Sequence, residues 1–301
     1  MTSPTPTDMA LPRPTVVALD FSPGSESALV RAATLAARAG APLHAVTADP
    51  DEAGPHVTHD ELEAFVAQAL GEDAADALAV VGGLSVLSAV LHYAERVGAG
   101  LLVVGTRGRP GVGRLLAGSV AEACVAAAPC PVLTVPHGVE AHEPSAAAPV
   151  LVAVDFGGLG AGALAAGRAF ADLHGAPLEV VHVVRDLGPY AGLSRTALSL
   201  DVVDPERAEA VRQRLRRCEA VRQAAPDALH VALGEASRQI AAVAAARAAG
   251  AVVLGTHGRT GVAHAILGST AESTLRRSPC AVLTVRPRAV PRPVRLAVAG
   301  S

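Results

Sequence analysis

The segment GTRGRPGVGRLLAGSV, residues 105–120, returns 150 positions later as GTHGRTGVAHAILGST, residues 255–270. Both copies open on Gly-x-x-Gly and close on Gly-Ser with nine residues between, while the residues inside drift. An apolar run precedes each copy (LLVVGT, AVVLGT). A small-residue stretch follows it and leads into PCPVLTV or PCAVLTV. A short β-branched run, a glycine loop, a helical stretch and a second β-branched run describe one βα unit with the start of the next strand.

Working outward, TVVALDFSPGSESAL (15–29) aligns with VLVAVDFGGLGAGAL (150–164) at an offset of 135, which places Asp20 on Asp155. APLHAV and APLEVV keep that offset, and the glycine segments have 150. The chain is therefore a tandem duplication, with about 15 extra residues in the second copy between Val184 and Asp227. Expected elements in the first copy are strands at 15–20, 42–48, 77–82, 101–105 and 131–135. Helices are expected from Ser25 to Ala39, from Thr58 with Glu61 as a capping box, near 85–97 and from Ser119. In the second copy Asp204 should cap a helix with Pro205 at its first position. Strands alternating with helices give a parallel sheet covered on both faces. The expected fold is α/β, with two tandem doubly wound five-stranded domains at 13–138 and 149–288, a linker at 139–148 and tails at 1–12 and 289–301.

Composition narrows the function. With 301 residues, about half of them apolar, the chain can form two cores. Aromatics are 2% and tryptophan is absent, which argues against base stacking on nucleic acid. A net charge of −3 offers no pull towards nucleic acid or anionic lipid. All 25 basic residues are arginine, so a P-loop lysine and a lysine Schiff base are excluded. Cys124, Cys130, Cys218 and Cys280 form no C-x-x-C pair and read as packing residues in a reducing cytoplasm. The N-terminus has no signal-peptide pattern. The uncharged stretch 77–94 reads as strand, turn and helix rather than a membrane span.

In a doubly wound sheet, ligands sit beyond the carboxyl ends of the strands where strand order reverses. Gly105 and Gly108 would let backbone approach a ligand closely, and the helices after Gly118-Ser119 and Gly268-Ser269 would offer unpaired N–H groups to a phosphate. The alternative stays open, because Ser119 with Glu122 and Ser269 with Glu272 are both S-x-x-E and the serines could serve as caps. A dinucleotide fingerprint fails, since GVGRLLAG lacks the sixth-place glycine.

The strand-one aspartate, G-x-x-G-x9-G-[ST] after strand four and the Pro-Cys-x-Val-Leu-x-Val final strand together resemble the universal stress protein family, twice over nearly the whole chain. The resemblance implies an adenine nucleotide alpha hydrolase-like fold that binds ATP, possible Mg²⁺ included. It places Ala18, Leu19, Asp20 and Ala48, and in the second copy Ala153, Val154, Asp155 and Val183, on the adenine side. Gly105, Arg107, Gly108, Gly118, Ser119 and Val120, and Gly255, His257, Gly258, Gly268, Ser269 and Thr270, would hold ribose and phosphates. It also implies pairing of the fifth strands, internally as a pseudo-dimer or between chains in a homodimer. The second copy departs from the pattern after its aspartate, where FGGLGAGAL has lost the hydroxyls of FSPGSESAL.

His56 and His59 lack a third metal ligand at a useful spacing. Arg212, Arg214, Arg216, Arg217 and Arg222 read as a solvated helix face. With no triad order, paired carboxylates or metal cluster, the expectation is a nucleotide-binding stress protein acting as sensor or stabiliser, not an enzyme. A nucleotide-free interaction module is the alternative, with slow ATP hydrolysis a weaker one.

Overall fold

The computed structural model describes residues 13–49, 56–72, 74–83, 85–106, 119–137, 143–156, 160–185, 198–256 and 267–286. The first half runs β1 (Thr15–Leu19), α1 (Pro23–Ala39), β2 (Leu43–Ala48), α2 (His59–Leu70), β3 (Ala77–Val81), α3 (Val86–Arg96), β4 (Leu101–Thr106), α4 (Ser119–Ala127) and β5 (Val132–Pro136). The second runs β6 (Val150–Val154), α5 (Gly160–His174), β7 (Leu178–Val184), β8 (Leu198–Ser199), α6 (Leu200–Val203), α7 (Pro205–Arg217), α8 (Glu219–Ala224), β9 (Ala228–Leu233), α9 (Ala236–Ala246), β10 (Ala251–Gly255), α10 (Ser269–Arg277) and β11 (Ala281–Val285).

Local sequence chemistry sets the helix starts. Ser22 caps α1 by accepting from the Ser25 N–H at 3.3 Å, with Pro23 in the first turn. The helix therefore starts two residues before the expected Ser25. Thr58 and Glu61 form the expected reciprocal capping box on α2, and Asp204 with Pro205 opens α7 as expected. At each second strand the repeat is visible in detail. The Leu43 N–H donates to Asp76 at 2.7 Å, and the Leu178 N–H donates to Asp227 at 2.8 Å.

The strands of the described residues form one 11-stranded sheet in the order β3-β2-β1-β4-β5-β11-β10-β6-β7-β9-β8. Within the first half every pairing is parallel. The second half is parallel from β11 to β9. The extra residues add β8, antiparallel to β9, so this half has six strands where five were expected. The sheet alternates its side chains between two cores. Val17, Leu19, Ala45 and Val103 face the layer that holds α1, α2, α5, α7 and α8. Val16, Val46, Leu102 and Val104 face the layer that holds α3, α4, α9 and α10. Both cores run through both halves, and they are built from Val, Leu and Ala. Cys124, Cys130 and Cys280 pack in the second of them, and burial pushes their thiols up to about 12, about 12 and about 11.

The halves meet through antiparallel β5 and β11, with Leu133 opposite Leu283. The Thr134 hydroxyl donates to the Val282 carbonyl at 3.2 Å, and the Thr284 hydroxyl donates to Val132 at 3.1 Å. Arg276 of α10 bonds Glu122 of α4 and Glu272 of its own helix, each at 2.8 Å. The linker side adds Glu143, within 3.4 Å of Arg31 and 3.5 Å of Arg38 on α1.

In the second half a charged cluster gathers around buried Glu179. Glu179 on β7 accepts two hydrogen bonds from Arg247, at 2.7 and 3.0 Å, and faces His230 of β9 at 2.8 Å. Burial alone would raise this carboxyl, but the hydrogen bonds from Arg247 and His230 outweigh it and hold the group below the usual glutamate value. The unfolded chain therefore binds a proton before the folded one does as pH falls. The cluster's contribution is complete at neutral pH and is lost as pH drops through the depressed native value. Glu179→Gln should cost about 1–2 kcal/mol at pH 7, discounted because Arg247 is partly in water. In denaturant titrations the gap to wild type should close below pH 4.5, the unperturbed value.

Candidate functional site

Strand order reverses between β1 and β4, and again between β6 and β10. Because β5 and β11 are antiparallel, the carboxyl ends of the two parallel sets lie on opposite edges of the sheet. Each half therefore has its own crevice.

In the first crevice, Leu19 ends β1 buried and Ala18 is half-buried beside it, with Asp20 exposed at the strand end. Ala48 ends β2 next door, Gly105 precedes the last residue of β4, and Ser119 and exposed Val120 open α4. Arg107, Gly108 and Gly118 lie outside the described residues. In the second crevice, half-buried Ala153 and buried Val154 end β6, followed by exposed Asp155, while Val183 stands at the end of neighbouring β7. Gly255 ends β10, and Gly268, Ser269 and Thr270 form the start of α10. His257 and Gly258 are outside the described residues. The expected base-side and phosphate-side residues that are described thus share an edge in each half.

Two residues have structural jobs that the sequence did not disclose. A Cβ on Gly105 would fall inside contact of the Gly24 carbonyl and 2.8 Å from the Ser25 nitrogen, and one on Gly24 would stand 2.8 Å from the Thr106 oxygen. The glycine expected to admit a ligand also admits the first turn of α1 against β4. Asp20 Oδ1 accepts from both the Ser22 N–H, at 3.1 Å, and the Ser22 hydroxyl, so this carboxylate also fastens the β1–α1 turn. Phe21 between them takes a left-handed backbone, φ 57°, with its ring edge-on to Phe65 of α2 at 5.2 Å.

The corresponding turn of the second half is built differently. Thr47 in β2 donates its hydroxyl to the Leu19 carbonyl at 3.0 Å, and 135 positions later His182 donates Nδ1–H to the Val154 carbonyl at 2.9 Å. Burial holds the His182 ring below the usual histidine value, which leaves it neutral near pH 7. Phe156 lies against that ring at 4.3 Å and carries Arg214 of α7 on its face at 3.9 Å. Beside this stack is a cleft of about 150 Å³ lined by Val154, Asp155, Phe156, Leu164, Leu215 and Val221, among others. Arg214 is exposed, as a solvated face requires, and also rests its guanidinium on that ring. Arg212 and Arg216 are also engaged, both with Glu209 at 2.9 Å.

The start of α10 resolves one open alternative. Its N-cap is Gly268, which has no side chain to offer, and Ser269 is the first helical residue, so the serine cap left open as an alternative is absent in this half. Glu272 turns to Arg276. The Gly268 N–H reaches back to the Thr256 carbonyl at 2.9 Å, which ties together the two ends of the glycine segment. Arg185, the residue after β7, donates to the Thr270 hydroxyl at 2.8 Å and so brings a guanidinium to the helix start. Sequence reasoning missed Arg185, although its place one residue past a strand on the ligand edge was a usable signal. His56 pairs with Asp49 at 3.1 Å, and among the described residues no three His, Cys, Asp or Glu side chains converge to hold a metal. No described helix is long and apolar enough to cross a membrane.

The sequence profile of the universal stress protein family matches residues 12–136 and again residues 148–286. A universal stress protein of Mycolicibacterium smegmatis is 31% identical over 192 residues, 62% of each chain, so the match spans less than two thirds of that relative. One from Thermus aquaticus, named for its place in the 3′ region of a QAH/OAS sulfhydrylase, is 32% identical over 145 residues, 46% of this chain and 97% of its own. In three dimensions the chain is similar to a putative universal stress protein of Pseudomonas aeruginosa UCBPP-PA14, with a TM-score of 0.66, 22% identity and coverage of 93% and 95% of the two chains. That structural likeness bears on the fold alone.

Gly105→Ala should force α1 away from β4. The expected loss is about 1–3 kcal/mol, the usual cost of overpacking, in urea unfolding of the nucleotide-free protein, where ligand effects cannot contribute.

Proposed function

Because the chain belongs to the universal stress protein family and carries its domain twice in tandem, we propose that it is an adenine-nucleotide-binding stress protein with one ATP-type site per half. It acts in the cytoplasm as a sensor or stabiliser and not as a metabolic catalyst. The observation that carries this reading is the repeated G-x-x-G-x9-G-[ST] segment, ending in both halves on a helix start, α4 or α10, on the same sheet edge as the strand-end aspartate. The donor set suits a polyphosphate. At α10 the first-turn N–H groups follow a glycine cap and carry the positive end of the helix dipole. Asp20 or Asp155, with the ends of β2 or β7, would meet the base. A Mg²⁺ ion would arrive with the nucleotide, neutralising phosphate charge. The four cysteines are all unpaired, consistent with a reducing compartment.

The interaction-module reading has one observation in its favour: Asp20 and Gly105 already have duties inside the fold. Titration calorimetry separates the two. Nucleotide-free protein titrated with ATP and Mg²⁺ should bind two ligands per chain, and Gly108→Val with Gly258→Val should abolish that heat while circular dichroism stays unchanged. Folded wild type that takes up no nucleotide would transfer the assignment to the interaction module.

A further inference from the structure

We propose that Arg185 is a phosphate-binding residue particular to the second half, making that site selective for a nucleoside di- or triphosphate over a cyclic mononucleotide. This rests on the nucleotide reading above and refines it. Arg185 follows the last residue of β7, and its guanidinium donates to the Thr270 hydroxyl in the first turn of α10. In sheet order β6 stands between β7 and β10, the strand that leads to α10. The side chain therefore links the element expected on the base side to the element expected on the phosphate side, across a strand-to-strand span of about 10 Å.

Arg185 is exposed, and among the described residues its guanidinium has no carboxylate partner. Several other arginines of this half face carboxylates: Arg212 and Arg216 meet Glu209, Arg247 meets Glu179, and Arg276 meets Glu122 and Glu272. A single hydroxyl occupies little of a five-donor fork, so the group is oriented by Thr270 while most of its donor capacity is left for an anion. A helix start and a guanidinium side by side are two separate anion donors. One phosphate can engage the first-turn N–H groups while a second takes a forked pair from the arginine. A cyclic monophosphate carries one negative charge and must divide its two free oxygens between the donors, so it gains less from the pair than a polyphosphate does. The repeat makes the device one-sided, because the position 135 residues earlier is Pro50, which has no side-chain donor.

The test is calorimetry of the full chain carrying Gly108→Val to silence the first site, titrated with ATP and Mg²⁺ and with adenosine 3′,5′-cyclic monophosphate. Arg185→Gln should weaken ATP binding at least tenfold and change cyclic nucleotide binding less than threefold. Arg185→Lys, which keeps the charge without the fork, should fall between the two. The proposal is overturned if Arg185→Gln leaves ATP affinity unchanged, or if both ligands lose affinity equally, which would make the arginine a support for loop shape. Failure of the parent protein and of wild type to bind either nucleotide would instead strike the nucleotide reading itself, a result distinct from both of these.

Discussion

The antiparallel contact between β5 and β11 is the interaction on which the rest of the molecule depends. A five-stranded parallel sheet leaves an unpaired strand at each edge, and an open edge of apolar strand invites association with another chain. Here the two inner edges satisfy each other, reinforced by the crossed Thr134 and Thr284 hydroxyl bonds and by Arg276 reaching Glu122. Since β5 is parallel to its own half and antiparallel to β11, the same contact sends the carboxyl ends of the two parallel sets in opposite directions, and the two crevices are joined through the shared sheet and its two continuous cores.

Those cores explain a composition that would otherwise look impoverished. With Val, Leu and Ala as filler, helices lie close on the sheet, and contacts that would need a cleft around larger side chains are made by backbone. The Gly24–Gly105 approach is one such case: β4 and the first turn of α1 meet with no room for a methyl group. The same economy appears at Asp20, whose carboxylate fastens the turn that presents it. In this fold the carboxyl edge of the strands and the helix-packing surface share residues such as Gly105 and Asp20.

The halves have diverged in chemistry while keeping their geometry. Thr47 and His182 make the same bond to the preceding strand, yet His182 adds a neutral ring on which Phe156 rests, and Arg214 closes the outer face. That arginine comes from the segment containing the additional residues, which also supplies β8 to cover the outer face of β9's edge. The first half ends its sheet on β3 without such a cover among the described residues. The duplication thus kept the strand framework and used the insertion to modify the sheet edge and the β6–α5 turn of one copy.

Periodicity, the two offsets and the capping residues were legible without coordinates because they are local. Alternating apolar runs specify strands, Thr58 with Glu61 and Asp204 with Pro205 specify helix starts, and an aligned Asp20 and Asp155 specify equivalent strand ends. Long-range partners were not legible, because a side chain's function depends on what the fold brings to it. Nothing in S-x-x-E says that Ser269 is the first helical residue and not a cap, since that depends on where the backbone enters α10. Nothing in a run of arginines says that Arg214 lies on an aromatic ring 58 positions away while Arg216 pairs with its own helix. The sequence by itself determined two copies of one α/β unit and the residues at the carboxyl ends of their strands. Tertiary structure decided which glycines serve packing, which way the two edges face and which arginine reaches the start of α10, because each depends on contacts between segments far apart in the chain.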